Sequence, residues 1–541
     1  MRRHWILALS LSNLCFFNAW REVLSPQGLS YLYYWKQYPG YAALIALLIN
    51  VLLLASIFLA GFYLVGRLGG SNGLKFGQAI FLLVFLRALN SIRAQFDSLS
   101  TSHLRFLFGR AGYIAAVFLL LCLIGFAIRR YGLNRVARSA ALIVLILSPF
   151  GVLGLAQATW LAVQYGQSVS RERPAATALN PGVSARPRVL WLIFDEMELD
   201  LAFSARPASL SLPEFDRLHA EALFATNAFP PAGHTSQSIP ALLTGQLISA
   251  VKPIGPGELL LTIPGRKETV SWSTQPDIFS DARAVGFNTA LVGWYNPYCR
   301  VIGDRLTSCR WEAASQRSDP EKLRVTTNLL RQESDLLKLL PFTSGIRARL
   351  LPAGAKDYRT EHIADYLALK RQAEDAVTDR GFGLLFIHLP VPHPPYIYDR
   401  AKGDLNAAQQ SSYLDNLALA DRALGDLRQK MEQAGSWEGT SIIVSSDHWW
   451  RSDYWRKHIF WTPSDQPVQG ERVEHRIPFM IKLAGQRTTL TYDAPFNTVL
   501  TRDLILEVLN GRISDPGQVA GWLDSHRTIG ESPYQSYEDA E

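Results

Sequence analysis

VLWLIFDE, residues 189–196, is a run of apolar and β-branched side chains that stops on two acids. A stretch of this kind with no polar alternation predicts a strand buried on both faces, as in a parallel sheet. Open α/β sheets place their active sites at the carboxyl ends of such strands, so Asp195 and Glu196 stand where chemistry is expected. A second run of the same character, IIVSSDH at residues 442–448, ends on Asp447 and His448. Two adjacent acids repel unless solvent, a helix start or a cation takes up their charge. On this motif alone, Asp195-Glu196 reads either as a helix cap or as a ligand pair.

Outward from these runs, strand-like and helix-like segments alternate, which predicts a largely parallel sheet covered by helices on both faces. Strands are expected at 189–194, 289–292, 383–389, 441–445 and 479–483, and helices at 323–340, 362–377, 411–434 and 500–509. The loop FPPAGHTSQSIPALLTG, residues 229–245, sets Thr235 just before a helix start. Amide N–H groups and the helix dipole favour an anion there, although a hydroxyl at that place also serves as a cap. The run FIHLPVPHPPY, residues 386–396, presents His388 and His393 in a proline-rich turn, an arrangement that suits ligation or proton transfer. Asp447 and His448 are ligand types for zinc or manganese. His458 and His475 follow, each a further ligand or substrate contact, or a surface residue.

The first third of the chain has a different texture. Five apolar runs, near 5–20, 41–65, 76–92, 113–128 and 139–163, predict a bundle of about five membrane spans. The third contains Arg87, which leaves a re-entrant segment as its alternative. The net charge of +7 comes largely with Arg2, Arg3, Arg67, Lys75, Arg129, Arg130, Arg135 and Arg138 around these runs, a pattern of membrane orientation and not of nucleic-acid binding. With those residues inside, an odd span count places everything after residue 165 outside the cytoplasm, although Arg93, Arg105 and Arg110 oppose that rule. The division expected is a membrane part at 1–165, a linker at 166–188, an α/β domain at 189–511 and a tail at 512–541. Tyr31, Tyr33, Tyr34, Trp35, Tyr38 and Tyr41 read as an interfacial anchor. Cys15 and Cys122 lie in apolar runs, whereas Cys299 and Cys309 lie close together in the exported part, as a disulfide or as two free thiols.

The conjunction of these motifs resembles the alkaline phosphatase superfamily, in its sulfatase-like branch. VLWLIFDE looks like the family's opening strand with paired acidic ligands. ALLTG at 241–245 is similar to the end of its nucleophile helix, which puts Thr235 at the nucleophile. Pro392-His393-Pro394-Pro395 resembles its proline-flanked histidine and SSDH its terminal Asp-His pair. AVGFNTALVG at 284–293 and RIPFMIKLAG at 476–485 are weaker likenesses. The resemblance implies an alkaline phosphatase/sulfatase-like α/β domain behind the transmembrane helix bundle. It implies a divalent metal ion, zinc or manganese before calcium, held by Asp195, Glu196, Thr235, Asp447 and His448. Thr235 and His393 become the catalytic residues, with His388 and His458 on the substrate.

Three departures refine that expectation. Sulfatases oxidise a cysteine or serine to formylglycine, a conversion Thr235 cannot undergo. The lysine and histidine usual after the strand that here reads VGWYN, residues 292–296, are missing. Trp449-Trp450-Arg451 replaces the glycine that usually follows the Asp-His pair. A threonine behind membrane spans is similar to lipoteichoic acid synthases and lipid A phosphoethanolamine transferases, which implies an integral protein of a bacterial-type inner membrane with its catalytic domain periplasmic. Such an enzyme takes a membrane lipid donor and an envelope glycan or lipid acceptor. A catalytically silent sensor or lipid-binding protein of the same fold, and a hydrolase of soluble phosphate or sulfate esters, are the alternatives.

Overall fold

The computed structural model describes residues 2–24, 29–68, 70–93, 96–99, 101–179, 187–314, 319–337, 358–407, 411–468 and 475–527. They form two compact units. One takes residues between 1 and 28, 37 and 170, and 319 and 356; the other takes those between 29 and 36, 171 and 318, and 357 and 541.

The first unit is helical. Gly40–Arg67, Gly70–Arg93, His103–Tyr131 and Leu133–Ser170 are each long and apolar enough to cross a membrane. They cover four of the five apolar runs. The first run folds as two shorter helices, Arg2–Cys15 and Phe17–Leu24. Their backbone bonding continues through the junction, from Phe16 N–H to Ser12 O and from Trp20 N–H to Phe16 O. Arg87 is not left uncompensated, since its guanidinium donates to the carbonyls of Cys15 and Leu336. The helix expected at 323–340 forms at Val325–Leu337 and packs in this unit, with Asn50 donating to Gln332 Oε1; residues 338–340 lie outside the described residues.

The second unit is built on eight strands: β1 Arg188–Asp195, β2 Leu223–Ala225, β3 Thr289–Tyr295, β4 Ser308–Ala313, β5 Leu384–Pro392, β6 Thr440–Ser446, β7 Phe479–Lys482 and β8 Leu490–Tyr492. Their order is β8-β2-β7-β6-β1-β5-β3-β4. The block from β6 to β4 is parallel, and β7 runs antiparallel to both β6 and β2. All five expected strands are present. β2, β4 and β8 are short or edge strands that no apolar run announces.

β1 lies between β5 and β6, and its alternating side chains enter two cores. Leu190, Leu192 and Phe194 join one cluster, while Val189, Trp191 and Ile193 join the other. That double burial is why the run reads as continuously apolar, and each aliphatic side chain so buried stabilises by about 1.5–3 kcal/mol. A charge at Leu192 would break the strand from the inside.

Several boundaries differ from the sequence reading. Residues 166–170 of the expected linker continue the last membrane helix. Arg173 N–H then bonds Cys299 O and Ala176 N–H bonds Leu306 O, so 171–179 is laid on the α/β unit; 180–186 lie outside the described residues. The expected tail begins with a helix, Pro516–His526, while 528–541 lie outside the described residues. The aromatic segment is not a simple interfacial anchor: residues 29–36 belong to the α/β unit. Tyr33 and Trp35 are buried there, and Arg300 donates to the carbonyls of both. Cys299 and Cys309 form a disulfide, and Cys15 and Cys122 are free.

Candidate active site

Asp195 ends β1, His388 lies within β5, and Asp447 and His448 follow β6, so three adjacent strands deliver their polar residues to one sheet edge. The turn after β1 is unusual. Glu196 has φ 63°, a left-handed conformation that a non-glycine adopts at a cost of roughly 1–3 kcal/mol. Neighbouring groups hold it there. Glu196 N–H donates to Asp447 Oδ1 (3.2 Å), Met197 N–H to Ser446 Oγ (2.8 Å), and the Tyr413 hydroxyl to Glu196 O (2.8 Å).

Thr235 is the first residue of the helix Thr235–Thr244. Its Oγ1 lies 3.3 Å from Asp195 Oδ2 and 3.3 Å from His448 Nε2. Ser238, one turn on, donates to Asp447 O and ties the helix to the end of β6. Gly233 is required by a close approach: a Cβ there would come within 2.7 Å of the Trp449 ring.

Hydrogen-bond direction fixes the tautomers. His448 Nδ1 faces Trp449 O at 3.0 Å, and a carbonyl only accepts, so the proton sits on Nδ1 and Nε2 turns its lone pair to the site. His448 Nε2 is 3.4 Å from Asp447 Oδ2 and 3.7 Å from Asp195 Oδ1. His393 is held likewise, with Nδ1 on Pro394 O and its ring edge-on between Trp294 (5.0 Å) and Trp455 (5.1 Å). In that state His393 offers a lone pair and not a proton at Nε2. The leaving-group acid expected of it would first have to be protonated there.

Burial dominates the electrostatics. Desolvation, with the charge of Glu196, pushes the Asp195 carboxyl well above its usual range, and desolvation pushes Asp447 up to about 8. Desolvation holds His388 down at about 4, and holds His393 and His448 well below the ordinary imidazole value. The imidazoles are therefore neutral, the form that ligates metals and accepts protons.

His388 was expected on the substrate, but its surroundings are those of a ligand. Its Nε2 lies 3.4 Å from Asp195 Oδ2, and the Tyr298 hydroxyl stands 3.1 Å from its Nδ1. Asp195, His388 and Asp447 are all buried and offer ligand atoms within 4.8 Å of one another. Asp195 Oδ1, His388 Nε2 and Asp447 Oδ2 make no hydrogen bond despite complete burial. Native proteins rarely leave such atoms unpaired, and two carboxylates with an imidazole suit zinc or manganese; the residues fit a divalent ion.

Glu196 stands apart. Its Oε1 accepts from Arg451 Nε and its Oε2 from Trp455 Nε1, both at 2.6 Å. Arg451 also donates to His234 Nδ1 at 2.7 Å. Sequence reasoning missed Arg451, Trp455 and Tyr298. Arg451 three places after His448 was a usable signal, overshadowed by the tryptophans before it. Trp450 is a core residue, stacked 4.2 Å from Tyr413, and Trp449 stacks 4.0 Å from His475. His458 packs against Trp455 and Phe460, in the aromatic layer behind Glu196.

A protein-family model described as Sulfatase matches residues 187–505. No curated protein matches. Among solved structures, a sulfatase from Pseudoalteromonas sp., PsFucS1, aligns at 18% identity over 60% of this chain and 68% of its own, with a TM-score of 0.39. A phosphonate monoester hydrolase of Agrobacterium radiobacter aligns at 15% identity over 60% and 74%, with a TM-score of 0.37. Ps i-CgsB in complex with k-i-k-neocarrahexaose aligns at 14% identity over 62% and 74%, with a TM-score of 0.39.

Proposed function

We propose that this chain, which belongs to the sulfatase family, is a membrane-anchored phosphotransferase or hydrolase that cleaves phospho-esters of envelope lipids or glycans through Thr235. The observation that carries the reading is the Thr235 hydroxyl, 3.3 Å from both Asp195 Oδ2 and His448 Nε2 at the first turn of a helix. A nucleophilic hydroxyl needs a base within hydrogen-bond reach, and a neutral His448 with its lone pair toward Oγ1 is one.

Asp195, His388 and Asp447 would hold a divalent ion beside Thr235, which leaves the His448 Nε2 lone pair to take the hydroxyl proton. Such an ion would supply Lewis-acid polarisation of the phosphoryl group and ease loss of the hydroxyl proton. The chain's own residues do the rest. Thr235 Oγ passes its proton to His448 Nε2 as the Oγ–P bond forms, the ester P–O bond breaks, and the leaving oxygen takes a proton from water. The acceptor hydroxyl, or water, then attacks phosphorus and yields its proton to His393 Nε2, which passes it on to the hydroxide left by the first step. Thr235 leaves and recovers the proton from His448. Phosphoryl chemistry is favoured over sulfuryl because Thr235 cannot become formylglycine. The four apolar helices favour a lipid donor by tethering the site near headgroups, and the Cys299–Cys309 disulfide accords with a periplasmic or extracellular domain.

One observation favours the silent-sensor reading: Thr235 is only 4% exposed, with Trp449 lying over Gly233 beside it. Intact-mass measurement of the purified chain after incubation with membrane phospholipids separates the two. A phospho-headgroup adduct in the wild type, missing in Thr235→Ala, is expected; no adduct together with no bound metal would leave the sensor.

A further inference from the structure

We propose that Arg451, and not a metal ion, is the counter-charge of Glu196, so that the site takes its divalent ion on Asp195, His388 and Asp447 without Glu196. The inference rests on the metal-site reading above and departs from the ligand set that the family resemblance implies, in which both acids of the pair serve.

Asp195 and Glu196 are both fully buried, and an ionised carboxylate in that setting needs strong partners. Glu196 has them on both oxygens, from the Arg451 guanidinium and the Trp455 indole. Asp195 Oδ1 and Asp447 Oδ2 have none, and neither has His388 Nε2. The left-handed turn at Glu196 is what sends neighbouring acids to different partners.

Charge balance points the same way. With an ion bound, Asp195, Glu196 and Asp447 would together bring three negative charges, and Arg451 and one divalent ion would answer them. Arg451 is well suited to the part, because its planar group reaches two acceptors at once: Nε meets Glu196 while another guanidinium N–H meets His234 Nδ1. Guanidinium groups only donate, so this bond leaves the His234 proton on Nε2. Arg451 thereby joins Glu196 to the residue before Thr235. It is a positioning residue, acting on the nucleophile through His234. The rings of Tyr454 and Trp455, at 5.3 and 5.7 Å, flank the guanidinium, which stays partly exposed.

The test is calorimetric titration of the full-length chain in detergent, stripped with chelator, with manganese chloride alone. We expect one ion per chain in the wild type. Glu196→Gln, which keeps an acceptor for Arg451 or Trp455, should hold manganese within about threefold of the wild type, whereas Asp447→Asn should weaken it by about 100-fold or more. Two ions per chain would overturn the inference, and that count needs no variant. So would a Glu196→Gln protein, folded by its melting transition, that loses manganese as Asp447→Asn does. Failure of the wild type to bind manganese or zinc at all would sink the metal reading itself, a result distinct from either.

Discussion

Around Asp195, Asp447 and His388 three buried ligand atoms lack hydrogen-bond partners, whereas around Glu196, the next residue after Asp195, both carboxylate oxygens are taken. The two regions share one sheet edge and the same degree of burial. The difference lies in who answers the charge. A region whose acid is paired is architecture; one where ligand atoms of three buried side chains converge within 4.8 Å of one another fits a cation. Thr235 borders the second, bonded to Asp195 and His448, and this is what makes it a nucleophile candidate.

The widest separation between the two regions should appear in Thr235→Ala. Turnover of a chromogenic aryl phosphodiester is expected to fall by about 10³-fold or more, as when a nucleophile is removed elsewhere. The melting temperature should stay near that of the wild type. Full activity in this variant would return Thr235 to the role of a helix-start residue.

A smaller effect is expected one shell out. Tyr298 holds His388 Nδ1 at 3.1 Å, and partners of this kind orient metal-ligating imidazoles. Tyr298→Phe should weaken manganese binding by about 10-fold, with circular dichroism unchanged. If binding stays within error, His388 belongs to the satisfied region. Smaller still is Tyr33→Phe. The Tyr33 hydroxyl donates to Asn296 Oδ1 at 3.2 Å, and Asn296 precedes the Tyr298 turn by two residues. Loss of one neutral hydrogen bond, about 1 kcal/mol, should lower turnover about fivefold at most. An effect as large as that of Tyr298→Phe would show that residues 29–36 govern the site directly.

What could be read from sequence follows from the same physics. β1, β5 and β6 were legible because strands buried on both faces leave unbroken apolar runs, and Asp195, His393, Asp447 and His448 stand at the ends of such runs or in the turns after them, whereas Thr235 was placed only by the likeness of ALLTG at 241–245. β2 and β8, three residues each, carry too little pattern to announce themselves. The ligand-like place of His388 was hidden because it lies inside β5, where a histidine reads as part of the strand. Arg451 could not be paired with Glu196 from spacing, since they lie 255 residues apart and meet only when β6 lies beside β1. Tyr33 and Trp35 misled because aromatic residues serve a membrane interface and a protein core equally well.

Asp421 supplies a third kind of buried acid and the subtlest test. Its carboxylate accepts from backbone N–H groups, Phe215 at 2.7 Å and Glu214, with the acids Glu214 and Asp216 nearby. Desolvation accordingly raises its carboxyl from 3.8 to about 7. A folded-state value above the unfolded one means that its contribution to stability is fully present below about pH 4 and is lost as pH rises through about 7. Asp421→Asn keeps an acceptor for Phe215 and removes the charge. Its melting temperature between pH 4 and pH 7 should therefore fall less steeply than that of the wild type, with a modest gain of a few degrees at pH 8. Parallel curves for Asp421→Asn and the wild type would mean that Asp421 is answered by a charge after all, and that burial against backbone N–H groups is no separate class.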